Sequence, residues 1–130
     1  FFDTKKAKNW KYYQKRSGNV LPKTKFISSQ FISWFEDDLW LRLAKKSNYV
    51  AKSLSRYFKS NDNFRVLYPV QGNEIFVSVK YPYYKKIIKK KIFPKLWNQN
   101  NDNFVVLRFV LSFDTKMCTI NQIIKRLNSI

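Results

Sequence analysis

From Phe104 to Thr115 the chain reads Phe-Val-Val-Leu-Arg-Phe-Val-Leu-Ser-Phe-Asp-Thr, a run dominated by β-branched and aromatic residues. Asparagines 101 and 103 precede it and the polar residues Asp114 to Thr119 follow, so the pattern predicts one buried strand with polar ends. Arg108 sits in the middle of that strand. An ionised group left dry and alone costs several kcal/mol or more, so its guanidinium must reach a wet face, find an acid, or wait for an anionic ligand. A carboxylate suits it best, because the planar fork grips two oxygens at once. Local pattern alone favours a structural partner.

Elsewhere the periodicity is mostly helical. Lys5 to Arg16 is helix-compatible, with Trp10 and Tyr13 on one face, and Ser17-Gly18-Asn19 ends it at a residue suited to positive φ. From Lys25, the spacing of Phe26, Ile27, Phe31, Trp34 and Phe35 predicts a helix buried on one wide face. Glu36-Asp37-Asp38 interrupts it, and Asp37 or Asp38 is placed to cap a long helix from Leu39 to about Lys59. Its expected inward stripe is Leu39, Leu43, Val50, Leu54 and Tyr57 or Phe58.

Short strands are predicted at Phe64–Tyr68 and Ile75–Val79, joined by a turn through Pro69 and Gly72. Pro82 suits the first turn of a helix over Tyr83–Lys91, whose lysines alternate with isoleucines. Ile92–Trp97 reads as a strand interrupted by Pro94, 98–103 as a turn, and Thr119 as the cap of a last helix carrying Ile120, Ile123, Ile124 and Leu127. The order predicts an α/β domain, helices on a mostly antiparallel sheet, preceded by a helical arm.

Composition changes this picture in three ways. One cysteine, Cys118, and no histidine exclude an internal disulfide and leave a structural zinc site almost without ligands. No apolar run reaches the roughly 18 residues of a membrane span, and no charged-then-apolar leader stands out, so a cytoplasmic protein is the expectation. The formal charge of +18, from 26 basic and 8 acidic residues, invites a nucleic-acid or anionic-surface binding module as an alternative reading. Twenty of the 26 are lysines, however, in a chain also rich in Asn, Ile, Phe and Tyr. AT-rich coding sequence would produce that skew without selection for binding, and no recognition-helix, zinc-spacing or ribonucleoprotein signature accompanies it.

Four segments, in order, resemble one family. Lys15-Arg16-Ser17-Gly18 followed by Lys23-Thr24-Lys25-Phe26-Ile27-Ser28-Ser29-Gln30 resembles "KRxG…KxRFLSAQ", and Glu36-Asp37-Asp38-Leu39-Trp40-Leu41-Arg42 is similar to "EDDLWLRNA". Pro69-Val70-Gln71-Gly72-Asn73-Glu74-Ile75-Phe76-Val77 resembles "PVEANEVFV", and Leu107-Arg108-Phe109-Val110-Leu111-Ser112-Phe113 resembles "VRLVTSF". These are patterns of the C-terminal part of the low-specificity L-threonine aldolases, pyridoxal-phosphate lyases of the aspartate-aminotransferase fold.

The resemblance implies the small C-terminal domain of that fold type I architecture over residues 26–130. Residues 1–25 would then be the end of a large-domain strand, at Phe1-Phe2-Asp3, and the arm. It implies that Arg108 binds the α-carboxylate of the amino-acid substrate. It further implies cofactor-side roles for Lys23 and for Lys25, which stands where the family has an arginine and cannot reproduce a bidentate contact. Asn73 and Ser112 match family positions too, although turn formation and strand-end capping account for them.

The family's Schiff-base lysine lies in a Thr-Lys-Asn-Gly segment that this sequence does not contain, and the family's phosphate-binding residues, stacking histidine and pyridine-holding aspartate belong to the same large domain. The expectation is therefore a fragment with no catalytic residue of its own, binding no pyridoxal phosphate alone. Its partner would be the large domain or an upstream chain of the same enzyme, and the family forms homo-oligomers. Either a split gene or a decaying gene would produce it. An exposed apolar side around Phe26, Phe31 and Trp34 is expected where those partners would pack.

Overall fold

The computed structural model describes residues 3–101 and 103–130. The chain divides into two compact units, Phe1–Leu39 and Trp40–Ile130. The end-of-strand reading of Phe1-Phe2 falls outside the described residues.

In the first unit the helix expected over Lys5–Arg16 is two, α1 (Thr4–Ala7) and α2 (Trp10–Arg16). Asp3 begins α1 by accepting from the amides of Lys5 and Lys6 at 2.9 and 3.4 Å. Gly18, at φ 72°, ends α2 in the left-handed region as its sequence predicts. Helix α3 spans Thr24–Phe35, but among its residues none is buried. Phe26, Phe31, Ile32 and Phe35 are all at least 60% exposed, which corrects the expectation of a wide buried face and meets that of an exposed apolar side. Periodicity selects which residues share a stripe, while burial needs a layer to lie against it. A single turn of 3₁₀ helix, Glu36–Asp38, follows, with Asp37 and Asp38 at φ 50° and 55°. Those left-handed angles make the pair a sharp link, not the extended geometry of a cap.

Helix α4 (Leu39–Lys59) enters the second unit, and its buried side is Ser47, Val50, Ala51, Leu54, Ser55 and Phe58. Leu39 and Leu43, expected on that side, are only half-buried. The sheet has four strands, β1 (Arg65–Val66), β2 (Glu74–Lys80), β3 (Lys95–Asn101) and β4 (Phe104–Val110), with helix α5 (Tyr81–Lys89) after β2 and α6 (Met117–Leu127) after β4. Strand order is β1-β2-β4-β3, every pairing antiparallel, so β4 is flanked on both sides.

Strand alternation divides β2 and β4 into two faces. Ile75, Val77, Val79, Val105, Leu107 and Phe109 join Leu54, Phe58, Ile87, Ile120 and Leu127 in one core, each 7% exposed or less. Phe58 anchors an aromatic cluster there, with ring centroids 4.6 Å from Phe64 and 5.0 Å from Phe109.

Three sequence expectations shift. Residues 98–101, expected as a turn, continue β3. Asparagine is a poor strand former, yet β4 offers a row of backbone partners, and irregular register between Leu96/Asn98 and Gln99/Asn101 absorbs the misfit. Helix α5 starts at Tyr81, two residues before its expected position, with Pro82 in its first turn. Helix α6 starts at Met117 with Lys116 as N-cap residue, so Thr119 lies inside the first turn. The shift follows from a turn closed by Thr115, whose hydroxyl accepts from the Ser112 amide at 3.1 Å and whose amide donates to the Ser112 carbonyl at 3.1 Å. No helix among the described residues is long and apolar enough to cross a membrane.

The Tyr57 hydroxyl ties α4 to the chain end, donating to Asn128 Oδ1 at 2.8 Å and accepting from Asn61 Nδ2 at 3.0 Å. Burial raises its pKa above 10.0, opposed in part by the Asn61 contact, and Tyr83 is raised by burial and by the Tyr57 charge. Both folded values lie above the unfolded one, so this stabilisation is complete below about pH 10 and is lost as pH rises through the folded pKa. Tyr57→Phe is expected to cost about 1 kcal/mol at pH 7. In urea titrations the variant should lose less further stability than the parent between pH 9 and 11, and parallel pH profiles would contradict the assignment.

Candidate functional site

Arg108 lies on the sheet face opposite the core, because β4 alternates and its neighbours Leu107 and Phe109 point inward. It is paired across the ladder with Phe76 of β2 and with Lys95 of β3. Three strands therefore supply its surroundings. From β2, Glu74 Oε1 accepts from a terminal nitrogen of the guanidinium, and from β3 the Trp97 ring lies 5.2 Å from the guanidinium carbon. Lys95 Nζ approaches the same ring at 5.8 Å, and Phe76 meets it edge-on at 5.4 Å. Tyr68 extends the aromatic row, edge-on to Phe76 at 5.7 Å.

The local reading of Arg108 as an arginine with a structural acid partner is thus correct about the acid, and sequence reasoning did not single out Glu74. Its signal was available: Glu74 occupies the "NE" of the Pro69–Val77 segment, two residues from the position facing Arg108 on the same strand face. The pair is not sealed, since the Arg108 and Glu74 side chains are 23% and 39% exposed. Glu74 engages one terminal nitrogen, and the Arg108 Nε is buried without a hydrogen-bond partner among the described residues. The sealed Nε cannot meet a ligand, but the terminal nitrogens, of which Glu74 engages one, retain donors for a further acceptor. A cation stacked on an indole and held by one carboxylate is fixed in orientation, which suits it to a planar anion.

Asn73 has a framework role. Its Nδ2 donates to the Leu111 carbonyl at 2.8 Å, and its own carbonyl accepts from the Leu111 amide at 2.9 Å, which clamps the start of β2 to the end of β4. Ser112 belongs to the turn before α6. Cys118 is exposed in the first turn of α6. Lys23 and Lys25 lie in the first unit, apart from the one that holds Arg108. Lys23 is the left-handed N-cap residue of α3, its carbonyl accepting from the Phe26 amide at 2.9 Å, and Lys25 is in the first turn of that helix with its side chain exposed.

Glu74→Gln keeps the shape of the acid and removes its charge. Because both partners are partly solvated, the expected loss of stability is about 1 kcal/mol or less by chemical denaturation. The Trp97 environment should change with it, read as a shift of indole emission in single-tryptophan chains that retain only Trp97. An unchanged emission would show that the ion pair does not hold the guanidinium over the ring.

No protein-family profile matches the chain. Sequence comparison does find relatives: low-specificity L-threonine aldolases from Pseudomonas sp. (strain NCIMB 10558) and Pseudomonas aeruginosa are 30% and 27% identical over 82 residues. Those residues are 63% of this chain and 24% of either relative, so the match spans about a quarter of the aldolases' length. Among solved structures, threonine aldolase of Leishmania major superposes over 93% of this chain and 35% of its own, with a TM-score of 0.81 at 18% identity. Tryptophan decarboxylase of Catharanthus roseus follows at 0.55 and 11% identity, covering 67% of this chain and 21% of its own. The structural likenesses establish the fold, which is that of threonine aldolase and fold type I. Together with the ordered sequence matches they make the chain similar to the C-terminal part of the low-specificity L-threonine aldolases.

Proposed function

We propose that this chain supplies the substrate-carboxylate clamp of a threonine-aldolase-like lyase, whose reaction cleaves L-threonine or L-allo-threonine to glycine and acetaldehyde, and that it is inactive alone. The observation that supports this reading is Arg108, an oriented guanidinium with spare donors on the open face of a threonine-aldolase-like sheet. An amino-acid carboxylate meeting it would gain charge-assisted hydrogen bonds and a fixed direction of approach. Glu74 and the Trp97 ring would keep the guanidinium from turning away as the ligand binds.

Threonine aldolases depend on pyridoxal phosphate, which requires an imine-forming lysine, a cradle for the phosphate and an acid facing the ring nitrogen. The Arg108 surroundings do not fit that group. The acid present, Glu74, is engaged by Arg108, and the neighbouring lysine, Lys95, stacks over Trp97. The residues fit a substrate carboxylate, and catalysis would come from a lysine-bearing large domain acting with this one. The exposed α3 face supports such a partner, either that domain or a second subunit, because a stripe containing Phe31, Ile32 and Phe35 gains most by being covered.

Incubated with L-threonine and pyridoxal phosphate, the chain alone is expected to release no acetaldehyde above that from surface-lysine imines. Joined to an aldolase large domain carrying the lysine, it should cleave threonine, and Arg108→Ala should then lower kcat/KM by about 10- to 100-fold. Full activity of that variant would remove Arg108 from substrate binding.

The α3 face gives a second expectation. Sedimentation should show the isolated chain associating as its concentration rises, and Phe31→Glu with Phe35→Glu should disperse it. A parent chain that stays monomeric at several hundred micromolar would argue against a covered α3.

A further inference from the structure

A second feature lies next to Arg108 and is not accounted for by the clamp. The β3 ladder begins at Lys95, opposite Arg108, so among the described residues the Phe109 and Val110 stretch of β4 has no β3 partner. The space beside it forms an open groove of about 550 Å³ between the Phe93-Pro94 segment and helix α6. Its walls are chemically two-sided. Phe93, Val110 and Ile123 line it with accessible apolar surface above the sealed Leu54 and Phe109, while Lys91 and Arg126 line it with cations from the end of α5 and from α6, and Lys95 and Arg108 stand at its edge. Among the described residues no acid lines it.

The cations are not spent on each other's neighbours. Arg108 has Glu74 and Lys95 has the Trp97 ring, but Lys91 and Arg126 have no ion pair among the described residues. Lys91 is also placed by backbone geometry, since it ends α5 at φ 57° with its amide on the Ile88 carbonyl at 2.9 Å. Thr119 is a further polar residue lining the α6 side. A purely apolar ligand would leave these charges without a counter-ion, and a small inorganic anion would leave the apolar floor wet. A ligand that satisfies both carries an apolar body and one anionic head.

We propose that this groove binds a small amphipathic anion, an aryl-alkyl or medium-chain monocarboxylate, with its tail against Phe93, Val110 and Ile123 and its head between Lys91 and Arg126. The site does not depend on the aldolase reading, because Arg108 is needed for the clamp and only borders the groove. Occupancy would place a carboxylate beside the clamp, so the two sites would sense each other's charge.

The test is a titration of the chain with 4-phenylbutyrate at physiological salt, followed by calorimetry and by the methyl resonances of Ile123. One saturable site is expected, with Ile123 shifting in step with the heat. 4-Phenylbutanol, lacking the charge, and butyrate, lacking the ring, should each bind at least tenfold more weakly. Arg126→Glu should weaken 4-phenylbutyrate at least tenfold, and Thr119→Trp, which fills the groove from an exposed position, should abolish binding. Lys45→Glu makes the same change in net charge on the exposed side of α4 and should leave affinity unchanged. Equal losses in Lys45→Glu and Arg126→Glu, or equal affinity for the alcohol, would reduce the effect to general charge or general stickiness and overturn the proposal. So would shifts confined to Phe26, Phe31 and Trp34 on α3, or no saturable binding. Substituting Arg108 is left to the aldolase experiment, so failure of either reading is visible separately.

Discussion

The register of β4 between β2 and β3 is the constraint on which the second unit depends. Seven residue pairs join β4 to β2, from Lys80 with Phe104 to Glu74 with Val110. A slip of one residue would turn Arg108 toward Leu54 and Phe58 and expose Leu107 and Phe109 in its place. An unpaired guanidinium in that core costs more than any single contact in the sheet contributes, so the hydrophobic pattern and the charge exclude the same alternatives. Asn73, clamping Leu111 through side chain and backbone, closes the far end of the ladder.

The candidate site follows from that register and needs no special loop. Once β4 is fixed, Phe76 and Lys95 face Arg108 across the two ladders, and Glu74 and Trp97 reach it from the adjacent strands. Each surrounding residue has a strand-borne position, which restricts its motion more than a loop would. The groove at the end of β4 has the same origin. It exists because β3 begins only opposite Arg108, after Pro94, whose missing N–H and fixed φ disfavour continuation of the strand.

The charge of the molecule is a separate matter from its chemistry. Most of the lysines, such as Lys45, Lys46, Lys52, Lys85 and Lys86, are exposed. Their presence bears on solubility and salt dependence more than on a particular partner. The groove differs in kind because its cations converge from separate segments on one apolar floor.

By itself the sequence determined the elements whose signal is local. The long α4 helix, the β2 and β4 strands, the left-handed stop at Gly18 and Pro82 in the first turn of α5 all follow from side-chain periodicity or from the φ that one residue permits. Motif order further carried the resemblance to threonine aldolases and the choice of Arg108. Only the tertiary structure decided what depends on a neighbour. It made strand of residues 98–101 because β4 offered backbone partners, and it left the α3 stripe exposed, with none of that helix's residues buried. It also put Glu74 against Arg108, thirty-four residues apart in the chain, through a pairing that no local pattern encodes. Backbone hydrogen bonding and burial are properties of pairs, and a sequence read one segment at a time contains only half of each.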